Sequence, residues 1–294
     1  MIKARLFNQP SITKLLLALS LTLLALSALS APKPKILALA PHIVETLYDI
    51  GAGEQIIGTL DHADYPASAK DIPRVGNYAR IKLEQVIALQ PDLIIAWQSG
   101  NPSDDLARLK ALGFTIVYSQ PASFADIADD MRRFGKLTGN QQQAIEQAKR
   151  FEQKLAAIKK QYQDKPLINA FYELWSRPLT TAAKNSWPQQ HLATCRANNV
   201  FFESASPYPQ IDIEQVLNRD VKVIIQPLSA NQSDRQAFDW QHWQLIPAVS
   251  QQQIIQPNAD AMHRMTLRSL IALENLCEQI DASRRFYQAL KNDG

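Results

Sequence analysis

The sequence predicts an α/β protein of two Rossmann-like lobes joined by a single long α-helix, with a ligand cleft between the lobes. Three observations predict it. Short apolar runs alternate with amphipathic stretches, the order of a parallel sheet flanked by helices. A stretch from Asn140 to Gln163 contains neither Gly nor Pro and separates two such series. A segment starting at Tyr78 recurs at Tyr208, 130 residues on, and two copies at so long a period mean two similar lobes rather than a solenoid.

Taken in order, Ile36 to Ala40 is a buried strand and His42 to Ile50 a helix stopped by Gly51. Asp92 to Trp97 is a strand, Asp104 to Leu112 a helix ending at Gly113, Thr115 to Tyr118 a strand, and Phe124 to Leu137 an amphipathic helix. In the Gly-free stretch Ile145, Ala148, Phe151, Leu155, Ile158 and Tyr162 recur every three or four residues, giving a helix roughly 36 Å long at 1.5 Å per residue. It reads as a rigid connector, because alternation resumes beyond it. The segments there are Leu167 to Leu174, Trp187 to Arg196, Ile213 to Asn218, Val221 to Gln226 and Ile254 to Gln256, then a terminal helix around Leu267 to Ile280. The expected divisions are a leader over 1–30, an N-terminal lobe over 31–138, a linking helix over 139–163 and a C-terminal lobe over 164–294.

The leader has a basic start, an apolar run from Leu15 to Leu26 and the small-residue site Ala28-Leu29-Ser30, the layout of a cleavable secretory signal. Its apolar run is short of the ~20 residues of a spanning helix, and no Cys follows to accept a lipid, so export in soluble form is expected. The charge balance belongs to it. Of 31 Lys+Arg, three (Lys3, Arg5, Lys14) lie in the leader, which has no Asp or Glu, leaving 28 against 28 in the rest. With no basic excess, a nucleic-acid groove is not expected.

Other chemistries lack their motifs. The only glycine cluster, Gly51-Ala52-Gly53, follows a helix and has Ile56 where a dinucleotide fingerprint needs Gly, and no glycine lies between 139 and 294. Neither GxSxG nor HExxH occurs, so an exported hydrolase lacks a nucleophile or metal motif. Cys195 and Cys277, an even count in an exported chain, point to one disulfide. Catalytic or metal-binding cysteines are the alternative, without CxxC or Cys-x-x-His spacing to support them.

The repeat carries the functional argument. Each copy places a tyrosine six residues before a Glu, continues Glu-Gln-Val, and reaches an Ile-Ile strand ten residues after the Glu: Tyr78, Glu84, Ile94-Ile95 and Tyr208, Glu214, Ile224-Ile225. An aromatic on a strand-to-helix loop can line a cleft where two lobes face each other. Alone, either Glu is an ordinary complement to a helix dipole. Two at matching positions form a spaced acidic pair suited to basic sockets on a symmetric partner.

These residues resemble the periplasmic cobalamin-binding proteins of ATP-driven vitamin importers. They fall within the helical-backbone (class III) substrate-binding proteins, which also carry haem and ferric siderophores. The specific pieces are Asp64-Tyr65-Pro66, Leu83 to Trp97, Tyr208-Pro-Gln with Glu214-Gln-Val-Leu, the Cys195/Cys277 pair, and Asp260 with Arg264. The resemblance implies a periplasmic, non-enzymatic, monomeric protein. It would hold cobalamin as cargo, with no resident cofactor or metal, and pass it to an inner-membrane ABC permease. It implies ligand contacts from His62, Tyr78, Trp97, Tyr208, Asp260 and Arg264, with Trp175 joining the aromatic lining, and permease docking by Glu84 and Glu214. Another corrinoid, haem or a ferric siderophore is the alternative ligand. The sequence has His62 and the two tyrosines where the family commonly has Tyr and Trp, and Arg196-Ala197 for its Gly-Gly.

Remaining candidates read more plainly. A zinc protein could draw on His42, His62 and His263 with Asp260, although nothing in the spacing makes them converge. Trp240 and Trp243, in a Gln/His context, read as surface anchors of the second lobe. Asp260 and Arg264 are also at i,i+4 helical spacing, and Arg268 continues that face.

Overall fold

The structure, a computed structural model, describes residues 32–229 and 237–292. The leader over 1–30 lies outside these residues. No helix among the described residues is long and apolar enough to cross a membrane.

The first half is a βα alternation: β1 (Ile36–Ala38), α1 (Pro41–Asp49), β2 (Ile56–Thr59), a small hairpin of β3 (Gly76–Asn77) and β4 (Arg80–Ile81), α2 (Leu83–Leu89), β5 (Leu93–Trp97), α3 (Ser103–Ala111), β6 (Ile116–Ser119) and α4 (Phe124–Thr138). Its four-stranded sheet, β2-β1-β5-β6, is wholly parallel. Its inner strands β1 and β5, covered on both faces, are apolar at every position, and their alternating side chains serve two cores. Ile36, Ala38 and Ile95 enter one, beneath α1 and α4, while Leu37, Ile94 and Ala96 enter the other with Val86 of α2 and Leu106 and Leu109 of α3.

Helix α4 starts at a capping box, with Asp126 accepting from the Ser123 backbone N–H at 2.8 Å. It ends at Gly139, whose φ of 75° is the left-handed cap glycine permits. The chain turns directly into the long helix α5 (Gln141–Tyr162). The two helices touch closely at Gly135, where a Cβ would come within 2.2 Å of the Ala144 methyl.

Beyond α5 come β7 (Ile168–Ser176), β8 (Leu179–Thr181), α6 (Trp187–Thr194), β9 (Ala197–Asn199), α7 (Ile213–Leu217), β10 (Val223–Ile225), α8 (Pro247–Ser250), β11 (Ile254–Ile255), α9 (Ala259–His263) and α10 (Arg268–Asn292). Strands β11, β10 and β7 run parallel; β8 adds antiparallel to the later part of β7 and β9 parallel to its start. Again the strands divide their side chains. Val223 and Ile225 face the core shared with α5 and α10, and Ile224 faces Phe171, Val216 and Trp240. The repeat is thus structural: Ile94-Ile95 and Ile224-Ile225 lie in inner strands of the two sheets, and Val86 and Val216 anchor α2 and α7.

Two readings are corrected. Trp240 is no surface anchor. It is 2% exposed, its Nε1 donates to buried Glu173 at 2.7 Å, and its ring packs on Phe171 and Phe238. Trp243 is partly buried against the same cluster. The terminal helix runs twelve residues past Ile280 to Asn292. Buried Arg284 holds that extension, donating from Nε to the Pro166 carbonyl at 2.7 Å and from Nη2 to the Cys195 carbonyl at 2.9 Å, beside Asp281. Cys195 and Cys277 form the expected disulfide, tying the end of α6 to α10.

Candidate functional site

A cavity of about 520 Å³ opens where the carboxyl ends of the two sheets approach each other. Trp97, the last residue of β5, supplies one wall. The opposite wall comes from Leu174 and Trp175 of β7, Trp187 and Pro188 at the start of α6, Tyr208, and Pro227 and Ser229 after β10. Asp260, His263 and Arg264 bring the polar groups, from α9 and its C-terminal cap.

Local chemistry fixes each wall. Gly100 permits the Trp97 pose, since a Cβ there would come within 1.9 Å of the indole. Behind it, His42 meets the Trp97 ring edge-on at 5.3 Å. Trp175 is held by its Nε1 donating to the Arg177 carbonyl at 3.0 Å, and the Tyr208 hydroxyl accepts from the Trp187 backbone N–H at 3.3 Å. The result is an aromatic-walled cleft with a small polar edge, suited to a large flat ligand.

The polar edge continues into a charged network between the two halves. Glu45, on α1 and 2% exposed, accepts from Arg264 Nη1 at 3.0 Å, Thr266 Oγ1 at 2.9 Å, and Arg268 Nε and Nη2 at 2.9 and 2.6 Å. Arg264 also donates to Asp64 at 2.6 Å, to the His62 carbonyl at 3.3 Å and to Asp260 at 3.4 Å. Burial alone would raise the Asp64 carboxyl, but the Arg264 hydrogen bond and charge outweigh it and bring it below its ordinary value. The Arg268 guanidinium lies 3.9 Å over the Tyr65 ring, a cation–π contact.

Of the ligand residues read from the sequence, Trp97, Trp175, Tyr208, Asp260 and Arg264 line the cavity. His62 and Tyr78 lie outside its lining. His62 is exposed and meets the site through its carbonyl, while Tyr78, 75% exposed, projects from the turn between β3 and β4. Glu84 and Glu214 are exposed on the first turns of α2 and α7. Sequence reasoning missed Trp187, Met265 and the Glu45 hub. A Glu within the apolar run of α1 was the available sign, since a buried carboxylate requires partners.

The histidines do not converge. His42 lies 3.2 Å from Ser119 Oγ, which donates to Asp130, and burial lowers the imidazole to about 3. This Ser-His-Asp set is wired against nucleophilic chemistry: the hydroxyl gives its proton to the carboxylate, and Ser119 is 0% exposed. It pins α1, β6 and α4 together. No group of three or more His, Cys, Asp or Glu among the described residues is placed to hold a metal ion.

Comparison with known proteins agrees with this geometry. Residues 36–261 match the family described as periplasmic binding protein. The chain is 35% identical over 272 residues to a vitamin B12-binding protein of Vibrio campbellii, covering 92% of this chain and 98% of that one. It is 36% identical over 260 residues to one from Vibrio vulnificus, covering 88% and 94%. The solved periplasmic vitamin B12 binding protein BtuF of Vibrio cholerae superposes with a TM-score of 0.78 at 36% identity, covering 86% and 98%. A periplasmic haem-binding protein of Roseiflexus, at 20% identity and TM-score 0.73, shares the fold. Two sheets around an aromatic cleft, and relatives matched over nearly their whole length, have one meaning: the chain belongs to the periplasmic binding protein family.

Proposed function

We propose that this protein is the periplasmic binding component of an ATP-driven importer, capturing cobalamin in the cleft and delivering it to an inner-membrane permease without chemical change. The observation that carries the reading is the cavity itself. Trp97 from one sheet faces Trp175 from the other and Tyr208 from the loop before α7, with Asp260 and Arg264 at the edge. A corrin ring offers broad faces for such rings and a rim of amides for a few polar groups. The relatives called vitamin B12-binding proteins support the same cargo.

In this reading residues 1–30 direct export, 31–138 and 164–294 are the lobes, and 139–163 is the linking helix. His62 and Tyr78 complete the ligand set from the N-terminal lobe. Glu84 and Glu214 dock on basic sockets of the permease. The protein acts as a monomer, holds no resident cofactor and binds no nucleic acid.

The test is a titration of the mature, oxidised protein with cyanocobalamin, following Trp and Tyr fluorescence corrected for ligand absorbance. Saturable quenching is expected. Its absence overturns the reading, and saturable haem binding in its place transfers the function to a haem carrier.

A further inference from the structure

The geometry points to His263 as a ligand contact: a neutral imidazole, locked in one tautomer by Tyr172, whose Nδ1–H donates to an amide carbonyl of the cargo. The inference deepens the proposed cobalamin reading and rests on it.

Its first support is that the charged donor at the polar edge is largely engaged elsewhere. Arg264 looks like the obvious donor, but both its Nη atoms are already committed, to Glu45 and Asp64 on one side and to Asp260 and the His62 carbonyl on the other. Asp260 carries only acceptors when ionised. His263 lies between these two residues in sequence and lines the same cavity.

The second support is the hydrogen bond behind the ring. Tyr172, in the middle of β7, is 0% exposed, and its hydroxyl lies 3.0 Å from His263 Nε2. That hydroxyl has no other partner among the described residues. If Nε2–H donated to it, the phenolic proton would be buried with no acceptor, at roughly 1–3 kcal/mol. The hydroxyl therefore donates, Nε2 accepts, and the single proton of a neutral imidazole resides on Nδ1. Burial lowers the ring to about 4 despite the opposing Asp260 charge, so it is neutral at neutral pH. Nδ1 has no partner among the described residues. His263 as a whole is half-buried, and it borders the cavity.

A directed but uncharged donor selects by charge. It satisfies a neutral carbonyl well, but it brings no positive charge to offset the desolvation of a carboxylate. A tetrapyrrole rimmed with amides is favoured over one rimmed with carboxylates.

The test compares cyanocobalamin affinity of wild type with His263→Ala, His263→Asn and Tyr172→Phe, each checked for folding by circular dichroism. His263→Ala should weaken binding about five- to tenfold, the worth of one hydrogen bond. Asn places an amide N–H near the position of Nδ1, so His263→Asn should recover most of that loss. Tyr172→Phe frees the tautomer and should weaken binding less than His263→Ala. In ¹⁵N-histidine spectra of the wild type, the His263 Nδ1 should resonate as protonated and Nε2 as unprotonated. Saturable wild-type binding with His263→Ala unchanged, or the reverse nitrogen assignment, overturns this inference alone. A wild-type protein that does not bind cyanocobalamin overturns it together with the function.

Discussion

Charge placement inside α1 decides how its residues behave. Glu45 sits among Ile43, Val44 and Leu47, and two guanidiniums and a hydroxyl reach it from the far end of the chain. Asp49, one turn on, has no such set. Burial, and after it the neighbouring Glu45 charge, raise its carboxyl from 3.8 to about 7 against the opposing pull of Arg268 and the Leu267 backbone N–H. The folded protein therefore keeps the Asp49 proton up to about pH 7, while the unfolded chain releases it near 3.8. Between those values the unfolded state binds fewer protons, so this residue's contribution to stability falls as pH rises, by at most roughly 4 kcal/mol. Asp49→Asn carries no proton to lose. In denaturant titrations from pH 4 to 8, the variant should gain on wild type as pH rises and level off above about 7. The buried histidines His42, His191 and His263, all lowered, act in the opposite direction in both proteins and cancel in the difference. A difference that does not change with pH would contradict the assignment.

At the scale of elements, α2 and α7 are the matched pair. Each is short, rests on one buried valine, and presents its Glu to solvent on the first turn. Neither Glu touches the cavity. Replacing both, Glu84→Ala with Glu214→Ala, should leave cyanocobalamin affinity within about twofold, as expected for exposed residues remote from the site. It should weaken capture of the protein by permease in detergent or nanodiscs, and unchanged capture would remove docking from these residues. The pair was legible in the sequence because a repeat needs no tertiary information. The long helix was legible because it carries its own period over many residues, and β1, β5, β6, β10 and β11 because each lies in an apolar run. Strands β2, β3, β4, β8 and β9 were not, since Gly58-Thr59, Gly76-Asn77, Arg80, Thr180-Thr181 and Asn198-Asn199 break any apolar run in them. Trp240 was misread because its polar neighbours hid a contact with Glu173, 67 positions away. The Glu45 network lay further out of reach, its partners 219 to 223 positions apart.

Across the whole molecule, the largest apolar core does not stop at the boundary between lobes. It runs from Ile36, Ala38 and Ile95 under the first sheet, through Ala148, Phe151, Leu155 and Ile158 on α5, to Ala170, Tyr172 and Ile225 under the second and Leu273, Leu276 and Ile280 on α10. Glu45 ties the same halves together on the cleft side, and the 195–277 disulfide closes a loop of 82 positions, worth roughly 4 to 5 kcal/mol in the loop-entropy account. A chain with its core threaded through the connector has no interface along which one lobe can melt by itself. On the proposed reading, the connecting helix should restrict cleft motion to a small hinge rather than a wide swing. Calorimetry of the oxidised protein should give one transition, with calorimetric and van't Hoff enthalpies equal. Cyanocobalamin at a hundred times its Kd should raise the whole transition together, by about 2.7 kcal/mol or roughly 5 to 10 °C. Two resolved transitions, with only one shifted by ligand, would show that α5 links two independently stable lobes and that the shared core does not couple them.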